Sequence, residues 1–156
     1  MSRSDATTSQ PASAREPGAA PILLYDGSCG LCARSVQFVL RHEARSHRLK
    51  FATLEGPYGA AALRSNPDLA KVDSVVWLEP SVDGSTSRVL VRSEAVLAVL
   101  RHLGGKWALL AGLGRLMPRI SRDALYRVVA RYRYRVFGRD QSCLLPTPEQ
   151  RARFLG

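Results

Sequence analysis

Two cysteines, separated by two residues, are the side chains of this sequence best suited to do chemistry. They stand in the run Cys29-Gly30-Leu31-Cys32. Thiols at this spacing at the start of a helix can close a disulfide, and the N–H groups of a first helical turn stabilise a thiolate. We therefore predict that Cys29 is the attacking thiolate and Cys32 the resolving thiol, with exchange through a mixed disulfide on Cys29.

Two other interpretations of the cysteines stay open at this point. Buried cysteines can serve simply as small apolar core residues. By count, three cysteines and one histidine would also make a zinc site, drawn from Cys29, Cys32, Cys143, His42, His47 and His102. No second cysteine pair has the usual ligand spacing, so we expect no metal. We also expect no cofactor, because a dithiol carries its electrons in the disulfide itself.

Asp26 lies three residues before Cys29 and has two expected roles. Followed by Gly27, its side chain can close an Asx turn by hydrogen bonding to the backbone two residues on. A carboxylate beside a dithiol can also relay the proton of Cys32. Neither residue between the cysteines is cationic, which favours a moderately reducing couple over a strongly oxidising one.

Short strands and amphipathic helices must position these residues, and the apolar spacing predicts both. Apolar runs predict four strands, at residues 22–25, 49–54, 74–78 and 88–92. Helical spacing predicts helices at residues 29–42, 60–64 and 93–103, the last with Ser93 as its N-cap. The order strand, helix, strand, helix, strand, strand, helix predicts an α/β, thioredoxin-like fold. Its first strands should be parallel and its last two an antiparallel hairpin.

Further helices follow this core. One should end before Pro118, and Ser121 with Asp123 should open another that stops at Gly138. The apolar side chains of that last helix lie on one face, namely Leu125, Val128, Val129, Tyr132 and Val136. After it, the prolines predict an irregular tail. We divide the chain into a disordered N-terminal tail at 1–20, a thioredoxin-like core at 21–105 and a helical extension at 106–156 that packs on the core.

Positive charge is concentrated in this extension. The 156 residues carry a formal net charge of +10, and the segment 115–139 holds eight Arg and one Asp. Arg127, Arg131 and Arg135 recur at i, i+4 and i+8 and form one stripe. Such a stripe can be a solvated helix face, or it can bind an acidic partner or an anionic small molecule such as glutathione. A membrane surface fits it less well, and we do not expect nucleic acid.

The composition excludes several classes of protein. With 46% hydrophobic and 23% charged residues, it is that of a globular domain. Three cysteines are too few for a disulfide-stapled secreted scaffold. We find no apolar stretch long enough for a secretory signal or a membrane span. We therefore expect a cytoplasmic protein, in a reducing setting where cysteine pairs are more often catalytic or metal-binding.

The run from Asp26 to Cys32 resembles the D-x-x-C-x-x-C signature of the DCC family of predicted thiol-disulfide oxidoreductases. The resemblance extends over roughly residues 21–146, through Asp73-Ser74-Val75-Val76, Ser93-Glu94-Ala95, Gly104-Gly105-Lys106-Trp107, and Tyr132-Arg133-Tyr134 followed by Gly138 and Cys143. It implies a thioredoxin-like domain with Asp26, Cys29 and Cys32 as its defining residues. It also favours an accessory role for Cys143.

One region departs from better-known thioredoxin-like enzymes. Thioredoxins and glutaredoxins place a cis-proline just before the third strand, facing the dithiol. Here Val72-Asp73-Ser74 occupies that region. We therefore expect Asp73 or Ser74 to approach the cysteines instead.

Together these features predict a thiol-disulfide oxidoreductase. It would exchange a dithiol and a disulfide at Cys29 and Cys32 with a protein or a low-molecular-weight thiol. The alternative is a non-catalytic thioredoxin-like binding module, either metal-binding or using the basic C-terminal helix for an acidic partner. The pattern predicts no oligomeric state.

Overall fold

Four strands form one mixed sheet in the computed structural model, which describes residues 20–43, 49–71, 75–79, 88–139 and 147–155. The strands are β1 (Ile22–Tyr25), β2 (Lys50–Thr53), β3 (Val76–Glu79) and β4 (Arg88–Val91). Their order across the sheet is β2-β1-β3-β4. β1 is parallel to β2, whereas β1 with β3 and β3 with β4 are antiparallel. The predicted α/β, thioredoxin-like fold is confirmed.

Helices cover the sheet and extend the chain beyond it. They are α1 (Gly30–His42), α2 (Pro57–Ser65), α3 (Ser93–Leu103), α4 (Gly105–Leu116), α5 (Arg119–Phe137) and α6 (Pro148–Arg151). A 3₁₀ turn at Pro67–Lys71 follows α2. Residues 1–19 of the predicted N-terminal tail lie outside the described residues.

Alternation along the strands divides the core between the two faces of the sheet. One face packs against α1 and α3, and its strand residues are Leu23, Tyr25, Phe51 and Trp77. The other packs against α2 and the 3₁₀ turn, and its strand residues are Leu24, Ala52, Val76 and Leu78. Along α1, Cys32, Val36 and Val39 are buried at i, i+4 and i+7. Cys32 therefore belongs to the layer between the sheet and α1.

The predicted start of two helices is wrong. Ser93 does not cap α3 but is its first residue, and its hydroxyl donates to the carboxylate of Asp123 instead. Nor does Ser121 open the following helix, because α5 begins at Arg119 with Pro118 in the cap position. Proline fits at this end because the first N–H groups of a helix have no intrahelical partner. Gly138 ends α5 as predicted, with a φ of 70°.

The predicted irregular tail contains a short helix, which is a further correction. α6 opens with a capping box between Thr147 and Gln150. Beyond it the chain returns to the sheet edge, where the Phe51 N–H donates to the Arg153 carbonyl and the Leu155 N–H donates to the Phe51 carbonyl, both at 2.8 Å. These bonds satisfy backbone groups that β2 would otherwise leave unpaired at the edge.

Glu43 anchors this returning segment to the core. Its buried carboxylate accepts from the Leu49 N–H at 2.6 Å, lies 2.6 Å from the His102 Nε2 atom and pairs with Arg153. Burial alone would raise the pKa of Glu43, but these hydrogen bonds and the Arg153 charge outweigh it, so the pKa lies below its usual range. One carboxylate thereby joins α1, α3 and the C-terminal segment.

The face of α5 that packs on the core is not its apolar face. Its apolar side chains do lie on one face, but that face is 44–71% exposed, at Leu125, Val128, Val129, Tyr132 and Val136. The side that packs against α1 and α3 carries instead Arg122, Tyr126, Ala130, Arg133, Tyr134 and Phe137. A helix can turn a polar face inward where buried partners satisfy it. For Arg133 and Tyr134, the partner is the carboxylate of Asp26, close to the cysteines.

Candidate dithiol site

Cys29 and Cys32 lie where the chain passes from β1 into α1. In the turn after β1, the Cys29 N–H donates to the Asp26 carbonyl at 3.3 Å. Cys29 is the N-cap of α1, and its carbonyl accepts the bond from the Ala33 N–H at 3.0 Å. A thiol at this position sits at the N-terminal end of the helix, where backbone dipoles favour negative charge.

Both cysteines are buried free thiols. Burial raises the pKa of Cys32 to about 12, and both the hydrogen bond with Cys29 and the charge of Cys29 act in the same direction, while Arg133 opposes them. Cys32 is therefore a neutral thiol at neutral pH.

The Asp26 carboxylate is buried and bonded at both oxygens. Oδ1 accepts from the Ser28 N–H at 2.8 Å and from the Ser28 hydroxyl at 2.7 Å. This is the geometry of the Asx turn expected from the sequence. Oδ2 accepts from the Arg133 Nη2 group at 3.1 Å and from the Tyr134 hydroxyl. Asp26 thus connects the turn before Cys29 to α5.

These bonds keep Asp26 ionised. Burial alone would raise its pKa, but hydrogen bonds from Tyr134 and Ser28 and the charge of Arg133 outweigh that effect, so the pKa of Asp26 lies below its usual range. The same contact has the opposite effect on Tyr134, whose pKa is raised by burial and by its hydrogen bond to Asp26. At neutral pH the cluster therefore holds a carboxylate, a guanidinium and a neutral phenol.

Arg133 and Tyr134 are site residues that the sequence analysis did not assign. The Arg133 side chain is 3% exposed, donates to the Tyr134 hydroxyl at 2.8 Å, and lies 4.6 Å from the centre of the Tyr134 ring. A signal for Arg133 existed in the sequence. It falls on the same helical face as Tyr126, Ala130 and Phe137, at i−7, i−3 and i+4. An arginine within an aromatic face indicates a buried cation with a dedicated partner.

The end of α5 covers the dithiol. The Gly30 N–H donates to the Gly138 carbonyl at 3.4 Å, and Cys29 pairs with Arg139 in an isolated antiparallel bridge. The approach is close, because a Cβ atom at Gly30 would lie 2.5 Å from the Phe137 carbonyl oxygen. The position after Cys29 therefore admits glycine and no larger residue without displacing this segment.

The other predicted site residues fall into two groups. Asp73, Ser74 and Cys143 lie outside the described residues. The stripe of Arg127, Arg131 and Arg135 is present and exposed on α5.

Two of the histidines weighed as zinc ligands are engaged elsewhere. His42 contacts the Phe38 carbonyl at 2.8 Å and the Trp107 ring, and His102 lies against Glu43. Across the described part of the chain, no group of three or more His, Cys, Asp and Glu side chains is placed to hold a metal ion.

Comparison with known proteins identifies the family of this chain. The family model for DCC1-like thiol-disulfide oxidoreductases matches residues 23–139, which span the sheet, the dithiol and all of α5. The chain belongs to the DCC1-like thiol-disulfide oxidoreductase family. The family match ends at Arg139, the residue that bridges Cys29.

Curated relatives of this DCC1-like chain come from a bacterium and a plant. It is 36% identical over 135 residues to the Bacillus subtilis (strain 168) protein YuxK, described as uncharacterized, covering 86% of this chain and 93% of that one. It is 36% identical over 126 residues to an Arabidopsis thaliana protein described as a chloroplastic DCC family protein, covering 80% of this chain and 69% of that one. No solved structure matches the chain at a significant level.

Proposed function

We propose that Cys29 and Cys32 exchange a dithiol for a disulfide with a protein or low-molecular-weight thiol substrate, in the cytoplasm. Family membership supports a redox role in general. One observation carries the specific proposal: two thiols lie together at the N-terminus of α1. Of these two thiols, that of Cys32 has a pKa of about 12. Because a protonated thiol is a poor nucleophile, this favours Cys29, at the helix end, as the attacking sulfur and Cys32 as the resolving one.

In the reducing direction, the Cys29 thiolate attacks one sulfur of a substrate disulfide. A bond forms between Cys29 and that sulfur, while the other substrate sulfur leaves as a thiolate and takes up a proton. Cys32 then loses its proton and attacks the Cys29 sulfur, which releases the second substrate sulfur as a thiol. The dithiol is oxidised by two electrons to a disulfide, and the substrate disulfide is reduced to two thiols.

The mixed disulfide itself prepares Cys32 for the second step. Besides burial, the pKa of Cys32 is raised by the hydrogen bond and by the negative charge of Cys29. Once the Cys29 sulfur is bonded to substrate, its charge is lost and a hydrogen bond to this neutral sulfur is weaker. The opposing charge of Arg133 remains. Cys32 therefore becomes easier to deprotonate only after substrate has been captured.

We assign Asp26 a positioning role rather than that of a proton relay. A carboxylate with a lowered pKa is a poor acceptor for the proton of a thiol whose pKa is about 12. Both of its oxygens are also occupied, by Ser28 on one side and by Arg133 and Tyr134 on the other. Its contribution is to shape the turn before Cys29 and to hold the Arg133 cation close to Cys32.

Substrate access requires the end of α5 to move. Cys29 is fully buried beneath Gly138 and Arg139, so no substrate sulfur can reach it in line while that contact is closed. Among the described residues, backbone contact between the start of α1 and the end of α5 consists of the 3.4 Å bond from the Gly30 N–H and the bridge to Arg139. Local opening of such a segment needs far less free energy than global unfolding.

Intact mass spectrometry in graded thiol/disulfide buffers tests this proposal. We expect the protein to lose two hydrogens in one step, with the crosslink mapped to Cys29 and Cys32, at a moderately reducing poise. In the Cys32→Ser variant the second step cannot occur, so mixed disulfides should accumulate on Cys29. The matched control is Cys29→Ser, which should trap nothing.

The alternative function is a non-catalytic binding module, and the complete burial of Cys29 is the observation in its favour. It predicts thiols that stay reduced across the physiological range of poise, or zinc that co-purifies in stoichiometric amount. Either result would overturn the proposal of exchange.

A further inference from the structure

α4 and α5 expose large apolar side chains along most of their length. On α4, Leu109, Leu113 and Leu116 are 69%, 58% and 81% exposed, on the side opposite the buried Ala111. The turn into α5 adds Met117, and α5 adds Ile120 and its five-residue apolar face. We call these exposed apolar residues of α4, α5 and the intervening turn the α4–α5 surface. Apolar patches this extensive mark interaction sites.

Arginines run beside this surface on α5. Arg127, Arg131 and Arg135 are exposed and occupy the flank between the buried face and the apolar face of the helix. Asp123 is the single acidic residue of segment 105–139, and Ser93 and Arg119 already contact its carboxylate. Within the described helices α4 and α5, no other carboxylate is available to the flank.

We propose that the α4–α5 surface docks on an anionic lipid bilayer. The leucines and valines would enter the boundary between headgroups and acyl chains, and the three arginines would lie against lipid phosphates. An apolar strip bordered by arginines is typical of helices that lie in the membrane interface. None of the helices in the described ranges is long and apolar enough to cross a membrane.

The shape of the surface favours a bilayer over a protein partner. Side chains that are 58–81% exposed project from the helix, whereas residues that line a docking groove are shielded by its walls. Projecting apolar groups bury their area readily in a deformable lipid layer. A protein partner would need complementary pockets for each of them.

The charge pattern disfavours two occupants from this chain itself. A second copy docked through the same surface would bring its own arginine flank and, within segment 105–139, no carboxylate besides Asp123. Residues 1–19 contain no Leu, Ile, Val, Phe, Tyr or Trp and have no net charge, so this segment has neither the apolar groups nor the acidity to complement the surface.

Vesicle sedimentation with the full chain tests the proposal. The probes are vesicles of phosphatidylcholine alone and of phosphatidylcholine mixed in equal parts with phosphatidylglycerol. We expect binding to the mixed vesicles that weakens as salt is added. Replacing Arg127, Arg131 and Arg135 by Gln should weaken that binding about 100-fold, at about fivefold for each arginine near an anionic surface. Replacing Leu109, Leu113 and Leu116 by Ser should weaken it about tenfold or more.

A matched control removes the same charge elsewhere. Arg41, Arg64 and Arg101 are exposed arginines of α1, α2 and α3. Their joint replacement by Gln should change vesicle binding no more than about twofold, because the screened charges are distant from the lipid. Thermal unfolding of each variant checks that the fold is retained. The Cys29→Ser variant should bind as the wild type does, which separates this proposal from the proposed redox function.

Four results would overturn the docking proposal. They are absence of binding to mixed vesicles, equal binding to both vesicle types, loss of binding in the control variant, and binding that survives the leucine substitutions and is therefore purely electrostatic. A dimer in light scattering that the leucine substitutions dissociate would assign the surface to a second copy instead.

Discussion

At the level of single residues, Arg133 and Asp26 form a buried ion pair between residues 107 positions apart in the chain. Substitution of one member of the pair has a different effect on stability from substitution of both. Removing both charges can be nearly neutral, but removing one leaves the other buried and uncompensated. Tyr134 contacts both members of the pair. Its hydroxyl donates a hydrogen bond to Asp26 and accepts one from Arg133. The cluster therefore ties the position of α5 to the turn that presents Cys29.

Replacing Arg133 by Gln should destabilise the protein by about 3 kcal/mol or more, because the Asp26 carboxylate loses its counterion in a buried site. The free energy of unfolding in urea measures this. The matched control is Arg131→Gln, an exposed arginine on the same helix, for which we expect a change within about 0.5 kcal/mol. Adding Asp26→Asn to the Arg133 variant should recover part of the loss. Equal effects at positions 131 and 133 would contradict the assigned pairing.

At the level of elements, α1 and α5 meet over the thiols. The N-terminus of α1 lies against the last turn of α5, with Gly30 as the point of closest approach. Because Gly138 takes a φ of 70°, the chain can turn at the end of α5 and present its carbonyl to the Gly30 N–H. The same contact therefore covers the Cys29 thiol.

Replacing Gly30 by Ala should open this contact. The new methyl would lie 2.5 Å from a backbone oxygen, so the end of α5 must shift, at a cost of about 1–3 kcal/mol in stability. Cys29 should then be alkylated by iodoacetamide faster than in the wild type, as followed by tandem mass spectrometry of the peptide that carries both cysteines.

Gly112 offers the matched control for this substitution. A Cβ atom there meets nothing within 4 Å, so Gly112→Ala in α4 should stabilise the protein by up to about 1 kcal/mol and leave alkylation of Cys29 unchanged. If Gly30→Ala behaved in the same way, the end of α5 would not be the barrier to Cys29.

At the level of the whole molecule, two buried carboxylates hold distant segments together. Asp26 connects the turn after β1 to α5, and Glu43 connects α1, α3 and the C-terminal segment. Both have lowered pKa values in the folded protein. The unfolded chain, with ordinary carboxyl pKa values, therefore binds protons at a higher pH than the folded chain does.

Acid should consequently destabilise the protein through these groups. The free energy of unfolding should be constant near neutral pH, begin to fall as the pH approaches about 4, and continue to fall through the lower pKa values of the folded state. Urea unfolding at a series of pH values measures the slope. In the double variant Asp26→Asn, Glu43→Gln, stability at neutral pH should be lower and its dependence on acid shallower. A slope identical to that of the wild type would show that other groups control acid unfolding.

Local patterns of apolar residues were sufficient to predict the order of strands and helices. Residues 22–25 form β1 as predicted, and the helix that begins after Cys29 ends at His42. Strand and helix periods are properties of neighbouring residues, so they can be read without knowing what lies across the core. The placement of the CxxC pair between a strand and a helix follows from the same information. The sequence by itself therefore determined the fold class and the pair of cysteines that could exchange electrons.

The surroundings of that pair required the folded chain. Arg133 is buried and Val128 is exposed, the reverse of what charge and hydropathy indicate, because these properties predict burial only on average. A buried carboxylate can make the burial of an arginine favourable. The free energy of such an ion pair and its hydrogen bonds depends on a partner that is distant in sequence. The contact of Asp26 with Arg133 and Tyr134, and the cover of Cys29 by Gly138, are such long-range pairings. Tertiary structure alone decided them, because spacing along a chain carries no information about which remote groups meet.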